Sequence, residues 1–132
     1  VGLVTAASWT IAALAGAYLL LSWLPRGRQR RDARRAKVTR FPGALVVGHP
    51  ALAVAAFACW AGGLLTGSRA LTWTAFGALA VAALLGFAMS TRWLGTGRHG
   101  NAVRGFPALA VALHGLAGVA TFTLLLLAAG AF

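Results

Sequence analysis

The chain has 132 residues, 60% of them hydrophobic and 10% charged, with a formal net charge of +11. A soluble domain carries roughly a quarter charged residues, so this composition excludes an ordinary soluble fold and points to an all-α integral membrane protein. The only acid, Asp32, lies in a polar stretch, which excludes carboxylate proton relays and paired-carboxylate catalysis within the apolar segments.

Four transmembrane helices are predicted, at about residues 3–24, 42–66, 70–94 and 106–130. Apolar runs of roughly 20 residues cross a hydrocarbon core about 30 Å thick. The first run is too long for a signal-peptide core and lacks a basic flank before it, so it is expected to be a retained span. Pro25 ends it, with Trp23 at the headgroup level. The polar segment 25–41 then carries Arg26, Arg28, Arg30, Arg31, Arg34, Arg35, Lys37 and Arg40. Pro42 suits the first turn of the second helix, where its missing N–H costs nothing. Gly67, Ser68 and Arg69 make a short connection to the third helix, which has Trp73 and Trp93 near its ends. A second polar segment, 95–105, holds Arg98, His99 and Arg104 before the fourth helix. The whole chain reads as one transmembrane domain, a four-helix bundle.

Eleven of the twelve basic residues fall in or beside segments 25–41 and 95–105, and only Arg69 lies between the second and third helices. The positive-inside rule places both basic loops in the cytoplasm and both termini on the opposite side, most simply in a plasma (inner) membrane. The charges fix topology and lie against anionic lipid headgroups at the cytoplasmic face. A docking surface for an acidic cytoplasmic partner is the other reading of the loop. Nucleic-acid binding is disfavoured, because no aromatic or Gly pattern interleaves the arginines.

One stretch occurs twice. Phe41-Pro42 is followed seven residues after the proline by His49, and Phe106-Pro107 is followed at the same spacing by His114. A shift of 65 also repeats Val46, Val54, Ala55 and Phe57 as Val111, Val119, Ala120 and Phe122. The same ungapped shift lays Ala13-Leu14-Ala15 on Ala78-Leu79-Ala80. The expectation is two parallel two-helix repeats related by an axis along the membrane normal. Both histidines then sit at one depth, about 10 Å inward from their helix-starting prolines at 1.5 Å per residue.

The remaining polar side chains have ordinary readings. Cys59 is alone and packs as a small apolar residue. Met89 is core or lipid-facing, His99 a solvated loop residue, and Thr121 and Thr123 bond back to their own helix. His49 and His114 remain. An imidazole inside a membrane is costly and normally faces a partner in the bundle interior. Both ligating the iron of one haem b is the sharper reading, and hydrogen bonding between helices the plainer one. Quinone binding, transition-metal transport and ligation of a chlorophyll-type pigment are further alternatives, although two histidines fill only half a tetrahedral metal shell. Small residues line both histidine faces: Ala110, Val111, Ala117, Gly118 and Thr121 on the fourth helix, and Leu45, Val46, Leu52, Ala53 and Ala56 on the second. They permit either close helix packing or a flat cofactor. Pro50 beside His49 removes a backbone bond to Val46, and Gly115 takes the matching position beside His114.

This layout, with one histidine on the second helix and one on the fourth, resembles the small bis-histidine b-type cytochrome bundles and the quinone-reactive membrane anchors of respiratory enzymes. The resemblance is architectural and carries only His49 and His114. It implies electron transfer as a non-catalytic subunit of a larger membrane complex or a homo-oligomer. Haem propionates need cationic partners or water. Arg40 and Arg104 at the cytoplasmic helix ends are the first candidates and Arg98 the third, because guanidinium offers a carboxylate two hydrogen bonds.

Overall fold

The computed structural model describes residues 2–23, 43–96 and 108–130. All of them but the connection at residues 67–68 are helical: α1 (Gly2–Trp23), α2 (Gly43–Thr66), α3 (Arg69–Thr96) and α4 (Ala108–Gly130). The fold is all-α, and each helix is long and apolar enough to cross a membrane. The bounds differ from the sequence expectation by one or two residues, the scatter normal at helix ends. The α2–α3 connection has a local cause. Gly67 adopts φ +67°, the left-handed conformation that ends a helix and that glycine enters without a Cβ penalty. Ser68 then starts α3: its carbonyl accepts the Thr72 N–H at 3.2 Å, and its Oγ accepts the Leu71 N–H at 3.4 Å.

The principal packing pairs are α2 with α3 and α1 with α4, and α3 with α4 adds a smaller contact. The first pair follows from a tight hairpin. The second joins the two ends of the sequence. Trp9, Ala56, Trp60, Ala75 and Leu125 form a buried cluster drawn from all four helices. Trp9 meets Phe57 edge-on at 5.4 Å and Trp60 at 5.6 Å, and Phe76 meets Phe122 at 5.0 Å. These aromatic contacts fill the half of the bundle near the start of α1 and the end of α4. Toward the opposite end, where α1 and α3 finish, no residue from Gly16 to Ser22 or from Ala83 to Arg92 is fully buried. Outward positions are strongly apolar, as at Leu3, Leu65 and Leu109.

Cys59 is half-buried against the core cluster, as a small apolar residue would be. Thr121 and Thr123 donate to the carbonyls of Ala117 and Val119 in their own helix. Thr121 Oγ1 also lies 3.0 Å from Ser8 Oγ, so its one proton is shared between the Ala117 carbonyl and a link from α4 to α1 that helical self-bonding alone does not anticipate.

Candidate functional site

His49 is the seventh residue of α2 and His114 the seventh of α4. Helical spacing turns both inward. Val46 and Ala56 lie three residues before and seven after His49 and are buried; Ala117 and Thr121, three and seven after His114, are buried too. The two imidazoles meet between the helices. Their centroids are 5.7 Å apart and their planes 75° from parallel.

Each ring is held by the helix that packs against its own. His49 Nδ1 lies 2.7 Å from the carbonyl oxygen of Ala82 on α3, and His114 Nδ1 lies 2.8 Å from that of Ala12 on α1. A carbonyl only accepts, so Nδ1 carries the proton in both rings and donates it. In a neutral imidazole this leaves the Nε2 lone pair free to accept or to ligate. No described side chain donates to either Nε2. The site is therefore a pair of half-buried imidazoles, each with a bare Nε2.

The chemistry open to such a pair is limited. Among the described residues no group of three or more His, Cys, Asp or Glu side chains comes together. A closed tetrahedral metal shell is not assembled from them. Two imidazoles ligating one ion from opposite sides at about 2.1 Å each place their ring centroids roughly 6.5 Å apart. The observed 5.7 Å is shorter, so the rings would have to part slightly to hold an ion between them. Fixing Nδ1–H to a carbonyl is also the usual outer-shell arrangement of metal-ligating histidines. Arg40, Arg98 and Arg104, expected near haem propionates, and His99 lie outside the described residues.

Four residues of the site were not anticipated from sequence: Ala12, Gly16, Ala82 and Gly86. A Cβ placed on Gly16 would lie 2.9 Å from His114 Cε1, and one on Gly86 would lie 3.0 Å from His49 Cε1. The signal is present as Ala12-Ala13-Leu14-x-Gly16 and Ala82-Ala83-Leu84-x-Gly86, which match at a shift of 70. The ungapped shift of 65 instead sets Gly16 against Val81 and hides the match. Gly16 and Gly86, 70 residues apart, hold equivalent places beneath His114 and His49, which are 65 apart. His49 follows Gly16 by 33 residues and His114 follows Gly86 by 28, which is the five-residue difference between the two shifts.

Comparison with protein-family models, with curated proteins and with solved structures gives no match. Function is therefore argued from the site itself.

Proposed function

We propose that this chain is an integral membrane protein in which His49 and His114 are the axial ligands of a single b-type haem, and that it transfers electrons as a subunit of a larger redox complex. The observation that carries the reading is the matched pair of imidazoles. Their rings are 5.7 Å apart, each Nδ1–H is spent on a backbone carbonyl, and each Nε2 is left as a lone pair. A haem bound there would supply one-electron exchange at iron. The residues of the chain supply the rest. His49 and His114 hold and orient, the carbonyls of Ala82 and Ala12 raise ligand basicity, and the aromatic layer around Trp9 and Trp60 keeps water from one side.

The helix pairs are read as an internal duplication, with α1–α2 repeated as α3–α4. The offset is 70 residues in the first helix and 65 in the second, and the axis along the membrane normal passes between the histidines. The basic segments are assigned to the cytoplasm, both termini to the other side, and the chain to the plasma membrane. Propionates then face the cytoplasm, with Arg40 and Arg104 as their first partners and Arg98 as the third.

A second reading has its own support. The two imidazole–carbonyl bonds are complete by themselves and already tie α2 to α3 and α4 to α1. A reduced-minus-oxidised absorption spectrum of the purified, haem-supplied protein separates the two. A low-spin haem spectrum that disappears in both His49→Ala and His114→Ala is expected. Full-length, folded protein without a chromophore would leave the histidines as interhelical ties.

A further inference from the structure

We infer that Gly16 and Gly86 are positioning residues: each uncovers one helical carbonyl so that it can capture the histidine of the opposite repeat and turn that ring's Nε2 toward the centre. The inference rests on the two-histidine site described above and, for its haem arm only, on the proposed function.

Helix geometry gives the reason. The carbonyl of residue i already accepts the N–H of residue i+4, and its second lone pair faces outward near that residue. The side chain at i+4 leans toward the helix N-terminus and covers this spot. A donor from another helix reaches the carbonyl only where that cover is missing. Ala12 and Gly16 stand in this i, i+4 relation, and so do Ala82 and Gly86. The imidazole that bonds the Ala12 carbonyl lies over Gly16, and the one that bonds the Ala82 carbonyl lies over Gly86. A methyl group at Gly16 would come within 2.9 Å of His114 Cε1, closer than real Cβ atoms come, and one at Gly86 within 3.0 Å of His49 Cε1, a tight contact. The ring would have to tilt or leave the carbonyl. Gly77 and Gly118 have nothing within 4 Å of a built Cβ, so the same substitution there is harmless and serves as a control.

The arrangement is crossed. Gly16 on α1 seats His114 on α4, and Gly86 on α3 seats His49 on α2. General destabilisation would disturb both rings together, whereas loss of a seat disturbs one. Capture through Nδ1 also decides which nitrogen is presented. Without the seat a neutral imidazole is free to adopt the other tautomer and present Nδ1 instead.

The test is nitrogen-15 magnetic resonance of histidine-labelled protein in lipid bilayers, prepared without haem, with His99→Gln to simplify the spectrum. Wild type should show two rings protonated at Nδ1 and bare at Nε2. Gly16→Ala should shift or abolish the Nδ1–H signal of His114 alone, and Gly86→Ala that of His49 alone. Gly77→Ala and Gly118→Ala should change neither. Wild-type rings protonated at Nε2 overturn the inference without any variant, so a glycine variant that fails to fold does not shelter it. Unchanged signals in both glycine variants, or equal loss at both rings in either one, also overturn it. With haem bound, ring planes 75° apart should give the strongly anisotropic ferric resonance of near-perpendicular axial imidazoles, and each glycine variant should change that signal. A protein that binds no haem defeats the proposed function and leaves the haem-free measurement to decide the seats.

Discussion

Replacing His114 with alanine has a cost that depends on whether a ligand is bound, and the two contributions are separable. Without ligand, the variant loses the Nδ1–H bond to the Ala12 carbonyl, made at 2.8 Å. Interhelical hydrogen bonds in bilayers average about 0.6 kcal/mol and reach about 1.7. The missing ring leaves a void on the order of 60 Å³, which at about 24 cal/mol per Å³ adds at most roughly 1.4 kcal/mol. His114 is only half-buried, so part of the void refills. The expected loss is about 1–2 kcal/mol. With free haem at about 100 times its Kd, wild type gains about 2.7 kcal/mol by mass action, and a variant without the ligand gains nothing. The gap between the two proteins should therefore widen to about 4 kcal/mol. Reversible denaturation in mixed micelles, followed by helical circular dichroism with and without haem, measures both gaps. An equal penalty in the two conditions refutes the ligand reasoning. A penalty near zero without haem refutes the carbonyl tether.

Cysteines placed at Ser68 and at Gly97 should label from opposite faces of the membrane, Gly97 from the cytoplasm; labelling from one side would remove the parallel arrangement of the repeats. Arg40→Gln combined with Arg104→Gln should lower the haem midpoint potential in a redox titration, because removing nearby positive charge stabilises the oxidised, more positive centre; an unchanged potential at full occupancy would leave both arginines with topology alone. Ser8→Ala and Thr121→Val, combined in a double-mutant cycle, should show a coupling of about 0.6 kcal/mol and no more than about 1.7; zero coupling would mean that the 3.0 Å contact does not stabilise the α1–α4 pair.

Much of the bundle was legible because membrane spans impose simple rules. Apolar length located all four helices, and Gly67 with Ser68 marked the tight turn. The inward faces of α2 and α4 followed from helical spacing around the histidines. The seats did not, for a physical reason. A carbonyl acceptor has no side-chain signature, and glycine and alanine are too common here for one shift to stand out. The interval from Gly16 to His49 is five residues longer than that from Gly86 to His114, so the two similar stretches fall out of register at a shift of 65. The core role of Trp9 and Trp60 was also hidden, since a membrane tryptophan is expected near the headgroups, whereas both are 5% exposed. The Ser8–Thr121 bond depends on which helices become neighbours, and the α1–α4 pairing joins elements from the two ends of the sequence. At the positions 70 residues after Ser8 and 65 before Thr121 the chain has Ala78 and Ala56, so no recurring polar pair pointed to it.

The α1–α4 pairing also sets an order of assembly during synthesis. Ala12 precedes His114 by 102 residues, the widest separation of the two ring contacts, while His49 and Ala82 are 33 apart. At about 5–20 residues per second, α4 leaves the ribosome roughly 5–20 s after the Ala12 turn of α1. The α2–α3 hairpin can close while α1 is still without its partner. The last helix to be made thus completes the histidine pair, and a ribosome that stalls before α4 yields a hairpin with one seated histidine and an unpaired first helix.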